Sequence, residues 1–111
     1  MNDLTERLTV EQSIVMGGAE PTVEELRNRT GELAYVLVKF TETRGGTELS
    51  FPVDRDATDL SEADFDEVTG IVHIEGNLIL NGDPVRCIAN IDLATLKGTG
   101  RLALEENAVA R

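Results

Sequence analysis

The chain has 111 residues and no long polar tract, which bounds it to a single domain, 1–111, whose 41% hydrophobic residues suffice for a modest core. Ten Lys and Arg stand against 21 Asp and Glu, a net charge of −11, so nucleic-acid backbones and anionic membranes would repel it. The charge suits instead a basic protein partner.

Residues 1–20 fit two templates. Leu4 and Leu8 have helical spacing, whereas Val10, Ile14 and Met16 alternate as a strand would. Gly17-Gly18 ends either element. Pro21 and Thr22 then open a short helix, with Thr22 as N-cap and Glu25 three residues on, the pattern of a capping box. Glu24 and Glu25 suit the positive end of the helix dipole, Arg27 and Arg29 the negative end, and Gly31 is the stop. Only Val23 and Leu26 give this helix an apolar side, so it must dock against something else.

Leu33 to Thr41 is apolar at nearly every position, as in a strand covered on both faces. Arg44-Gly45-Gly46 marks a turn, and Thr47 to Asp54 then alternates Leu49, Phe51 and Val53 with Glu48, Ser50 and Pro52. A two-residue Gly45-Gly46 loop would set Phe40 opposite Phe51 and Val38 opposite Val53. Pro52 has no N–H to give a ladder, which predicts an edge strand or a bulge. Residues 54–69 read as an acidic loop, with a helical turn capped by Ser61 as one option.

Asn81-Gly82 is the preferred pair for a type I′ hairpin turn. That loop pairs Leu80 with Asp83, Leu78 with Val85, Gly76 with Cys87, Ile74 with Ala89 and Val72 with Ile91. The opposite face pairs Asn77 with Arg86, Glu75 with Ile88 and His73 with Asn90. A one-residue slip would mix the two sets, so turn chemistry and patterning agree on one register. Lys97-Gly98-Thr99-Gly100-Arg101 has the composition of a phosphate loop but leads into Leu102-Ala103-Leu104 rather than a helix, and reads as a turn with a bulge. A last strand spans about Gly100 to Glu105, and 107–111 is expected to fray.

The expected fold is mainly β (α+β): an antiparallel five- to six-stranded meander, as an open sheet or a small barrel, with one short N-terminal helix. A strand from residues 8–16, or a second subunit, could cover an open sheet edge.

Seven carboxylates fall within 54–67: Asp54, Asp56, Asp59, Glu62, Asp64, Asp66 and Glu67. Asp54, Asp56 and Thr58 occupy the first, third and fifth places of an EF-hand loop, but Asp59 stands where Gly is needed and Phe65 where Glu is needed. The motif fails, and no metal is expected. A solvated acidic linker remains, or a surface that docks a basic partner. His73 is the only histidine and shares a face with Glu75, Asn77, Asn90 and Asp92. His73, Glu75 and Asp92 are therefore the weak candidates for acid–base work. Cys87, the only cysteine, points to the other face and lies about 10 Å along the ladder from His73, too far for a nucleophile pair. It can form neither an internal disulfide nor a thiolate zinc cage. Dinucleotide-binding, nucleophile-elbow and paired-histidine motifs are missing, and no cofactor is expected. The N-terminus lacks the basic and apolar regions of a signal peptide, and no apolar run is long enough to span a membrane. The expected compartment is the cytoplasm.

Three readings stay open. The leading one is a non-catalytic interaction module, an adaptor, inhibitor or immunity-type protein or accessory subunit, that offers an acidic surface to a basic partner. The second is a small barrel that binds an apolar ligand and isomerises or cyclises it with acid–base residues on one strand face. The third is a self-assembling structural subunit.

Overall fold

In the computed structural model, residues 3–19, 21–31 and 33–104 are described. The expected 107–111 tail lies outside them. Both templates at the N-terminus are used in turn: α1 spans Asp3–Leu8 and β1 spans Gln12–Met16. The Gly17-Gly18 pair follows, and α2 spans Val23–Thr30. Thr22 Oγ1 accepts from Glu25 N at 3.1 Å, the N-cap half of the expected capping box, while Glu25 Oε1 accepts from Arg29 Nε at 2.8 Å and Gly31 N closes on Arg27 O at 3.0 Å. Five further strands complete most of the sheet: β2 (Tyr35–Phe40), β3 (Thr47–Pro52), β5 (Thr69–Leu80), β6 (Asp83–Asp92) and β7 (Lys97–Leu104). A two-residue β4, Ala63–Asp64, lies within the acidic segment.

The fold is mainly antiparallel β, an open seven-stranded sheet in the order β3-β2-β1-β7-β6-β5-β4. Two features depart from the expected five- to six-stranded meander. β1 inserts between β2 and β7, joining the two halves of the sheet, and β4 adds a short strand on β5. Lys97 to Arg101 is strand rather than a bulged turn, so β7 begins three residues earlier than expected.

The β5–β6 hairpin has the register that Asn81-Gly82 dictates, from Leu80 opposite Asp83 to Val72 opposite Ile91. Asn81 (φ 49°) and Gly82 (φ 88°) both take the left-handed backbone of a type I′ turn. The β2–β3 register differs. Phe40 faces Thr47 and Val36 faces Phe51, because the connection runs over residues 41–46. Thr43 organises that loop, taking Gly46 N on its carbonyl at 2.9 Å and meeting the Thr47 hydroxyl at 2.7 Å. The slip is by an even number of residues, so Leu49, Phe51 and Val53 still face inward. β2 is covered on one face rather than both: Val36, Val38 and Phe40 are buried, while Tyr35 and Lys39 are exposed.

One face of the sheet packs with Leu8 of α1 and Leu26 of α2 into a single cluster that includes Phe40, Phe51, Ile74 and Leu102. Cys87 is buried there, and burial pushes its thiol up to about 12. The sheet curls so that the end of β3 comes over β5. Gly76 permits this approach: a β-carbon there would sit 2.2 Å from Pro52 O and 2.4 Å from the Phe51 ring. Pro52 lies at the end of an edge strand, where its missing N–H costs no ladder bond. No helix among the described residues is long and apolar enough to cross a membrane.

Candidate functional site

Past β3 the chain crosses to the free edge of β5 and follows it. Asp54 N donates to Glu75 O at 2.8 Å, Asp59 N to His73 O at 2.9 Å, and His73 N to Asp59 O at 3.1 Å. Ile71 N then reaches Glu62 O at 3.2 Å, and β4 pairs Ala63 with Gly70 and Asp64 with Thr69. The acidic stretch is thus an edge cover held by its backbone rather than a free loop. Its turns are made by side-chain oxygens: Asp59 Oδ1 accepts from Ser61 N at 2.8 Å, and Asp64 Oδ1 from Asp66 N and Glu67 N, each at 3.0 Å. The expected helical turn capped by Ser61 is absent, since Asp59 supplies the capping oxygen.

The seven carboxylates divide by what they do. Asp54, Asp59 and Asp64 are engaged inside the segment or with the sheet. Asp66 makes an ion pair with Arg27 at 3.3 Å, open to solvent, while the Arg27 guanidinium also stands 5.8 Å over the Phe65 ring. The side chains of Asp56, Glu62 and Glu67 are exposed, and their carboxylates make no hydrogen bond or ion pair among the described residues. An open hollow of about 520 Å³ lies between α2 and the segment, lined by Arg27, Glu62, Phe65 and Asp66 among others.

Beside the segment a chain of polar side chains crosses the outer face of β5 and β6. His73 Nδ1 is 2.8 Å from Asn90 Oδ1, and His73 Nε2 is 2.6 Å from Glu75 Oε2. Arg86 Nε donates to Glu75 Oε1 at 2.8 Å, Nη1 to Asn77 Oδ1 at 2.9 Å, and Nη2 to Asp54 Oδ2 at 2.7 Å. Burial of His73 works against its charge, but Glu75 and Asn90 outweigh it and hold the ring above its ordinary pKa. Burial likewise opposes ionisation of Glu75, and His73 and Arg86 more than offset it, so its carboxyl lies below the usual range. The Arg86 hydrogen bond lowers Asp54 in the same way.

Of the three acid–base candidates, the fold brings His73 and Glu75 together and leaves Asp92 out. Asp92 is exposed, and its Oδ1 accepts from Ala94 N at 2.8 Å to shape the β6–β7 turn. Both ring nitrogens of His73 are occupied, and Glu75 is fixed between the His73 ring and the Arg86 guanidinium. An open hollow of about 360 Å³ adjoins them, lined by Asp59, Glu62, Gly70, Ile71, His73 and Asn90. The inner face, which a ligand-binding barrel would need empty, is filled by Phe40, Phe51, Ile74, Ile91 and their neighbours. Arg86 is the member that sequence reasoning missed as a hub. Its pairing with Asn77 was legible, but its reach to Asp54 depends on the course of the chain after β3.

Residues 23–111 match the family described as core binding factor beta subunit. The match runs from the start of α2 to the last residue and leaves α1 and β1 outside it. No curated protein matches the chain. The matched family is one of non-catalytic subunits that act by binding other proteins. With most of its length inside the match, the chain belongs to the core binding factor beta subunit family.

Proposed function

We propose that this chain is a protein-interaction subunit that engages a basic partner through the acidic segment 54–67, in the cytoplasm. The observation that carries the reading is the state of Asp56, Glu62 and Glu67: three exposed, unpaired carboxylates on a backbone already ordered against β5. A surface fixed in advance loses little further conformational freedom on binding. Unpaired charges on it attract a cationic surface at range and give the encounter a salt dependence. Membership of a family of protein-binding subunits supports the choice of a protein as partner.

The test must spare the carboxylates that hold the segment together. Asp54, Asp59 and Asp64 are therefore left in place, and Asp56→Asn, Glu62→Gln, Asp66→Asn and Glu67→Gln are combined. The wild-type chain and this variant are used to capture proteins from the parent cell lysate at about 50 mM and about 500 mM salt, a range over which screening shortens severalfold. A basic protein held by the wild type at low salt, released at high salt and not held by the variant is the expected result. The same protein held equally by the variant would remove the acidic segment from the interface. Light scattering on the pure chain separates the self-association alternative, which requires an oligomer without any partner.

A further inference from the structure

The acidic segment is tied to the sheet by its backbone and by Asp54 on Arg86, and it borders a side-chain cluster whose net charge depends on one proton. His73 meets a hydrogen-bond acceptor at each ring nitrogen, Asn90 Oδ1 at 2.8 Å and Glu75 Oε2 at 2.6 Å. A neutral imidazole has one N–H and can serve only one of them; the imidazolium has two and serves both. The charges agree with the hydrogen bonds. Asp54 and Glu75 against Arg86 and a protonated His73 make a balanced cluster of two anions and two cations. A neutral ring leaves that cluster one negative charge in excess, beside Asp59 and Glu62, which border the ring across the hollow. His73 is also one of the points where the segment is fastened, since its own N–H and carbonyl exchange hydrogen bonds with Asp59.

We propose that the proton on His73 is a latch: while the ring is charged the acidic segment is held against β5, and loss of the proton loosens it. With the ring neutral, Glu75 or Asn90 loses its donor, and the uncompensated charge repels the neighbouring carboxylates of Asp59 and Glu62. The groups facing the ring are Glu75 on β5, Asn90 on β6, and Asp59 and Glu62 from the segment, with Arg86 one hydrogen bond behind Glu75. The latch is a property of the chain alone; only its consequence, a pH-dependent docking surface, rests on the function proposed above.

The test is a nuclear magnetic resonance titration of the isolated chain from about pH 6 to about pH 9, a range chosen to span a raised histidine. Two quantities are followed: the ring-nitrogen shifts of His73, and the exchange protection of the Asp59 and His73 amides relative to that of Cys87 in the core, corrected for intrinsic exchange. Both ring nitrogens are expected to be protonated at the acid end. Protection at Asp59 and His73 should then fall roughly three- to tenfold, with its midpoint on the ring titration. His73→Gln, which cannot titrate, should show no step. A ring with a single proton at about pH 6, or protection indifferent to the ring's titration, would overturn the latch, and the wild-type data alone suffice to see either. A missing exchange step together with a captured basic partner would sink the latch and keep the docking reading. The reverse pair of results would do the opposite.

Discussion

Arg86 Nη2 lies 2.7 Å from Asp54 Oδ2, an ion pair that spans 32 residues of sequence and binds the start of the acidic segment to the middle of β6. The same guanidinium holds Glu75 and Asn77, so one side chain links β5, β6 and the chain leaving β3. Arg86→Gln keeps much of the stem but removes the charge. It leaves Glu75, only 20% exposed, without its guanidinium partner. The expected loss is about 1–2 kcal/mol, since hydrogen bonds to charged groups are strong but this site is partly solvated. A urea denaturation midpoint measures it, and a change within error would mean that water substitutes freely for the guanidinium.

Gly76→Ala tests the curl of the sheet. The new methyl group would meet Pro52 O at 2.2 Å and the Phe51 ring at 2.4 Å, so β3 must lift away from β5. The expected cost is about 3 kcal/mol, the upper end for overpacking, because the nearest obstacle is backbone. Gly82→Ala is a useful contrast: open space surrounds it, and only its positive φ resists. That variant should lose about 1 kcal/mol. Equal losses in the two would argue that β3 does not press on Gly76.

Stability should depend on pH from both sides. Glu75 has a lowered pKa in the fold, so its contribution is present above its ordinary value of 4.5 and is lost as pH falls through the folded value. His73 has a raised pKa, so its contribution is complete below 6.5 and is lost as pH rises through the folded value. The thermal midpoint should therefore peak between about pH 4.5 and about pH 6.5. Relief of the −11 net charge also favours mildly acid conditions, and His73→Gln separates the two effects: it should flatten the alkaline limb and spare the acid one. An alkaline limb unchanged in His73→Gln would assign the slope to net charge alone.

Val68 offers a gain rather than a loss. It enters β5 with φ of 57°, a left-handed conformation that a β-branched side chain resists, and it is 37% exposed. Val68→Asn should raise stability by about 0.5–1 kcal/mol, because Asn accepts this backbone and little burial is forfeited. A lower melting temperature in this variant would show that the Val68 side chain packs more firmly than its exposure suggests.

What the sequence determined by itself was local. Asn81-Gly82 set the β5–β6 register residue by residue, Thr22 and Gly31 set the limits of α2, and the alternation of Leu49, Phe51 and Val53 set the inward face of β3. Each is governed by neighbours in the chain: a turn that needs two positive φ angles, an unpaired helix N–H, a period of two. The cluster was legible in part, since His73, Glu75, Asn77, Arg86 and Asn90 follow from that hairpin's register. Tertiary structure decided the rest. The insertion of β1 between β2 and β7, the even slip that sets Phe40 against Thr47, and the return of Asp54 to Arg86 all join segments whose separate patterns fit several pairings equally well. Hydrophobic periodicity tells a strand which face to bury but not which strand to lie beside. That choice falls to the whole core: here a glycine at 76 admits β3 above β5, and the acidic segment that follows is delivered to the edge where Arg86 and His73 can hold it.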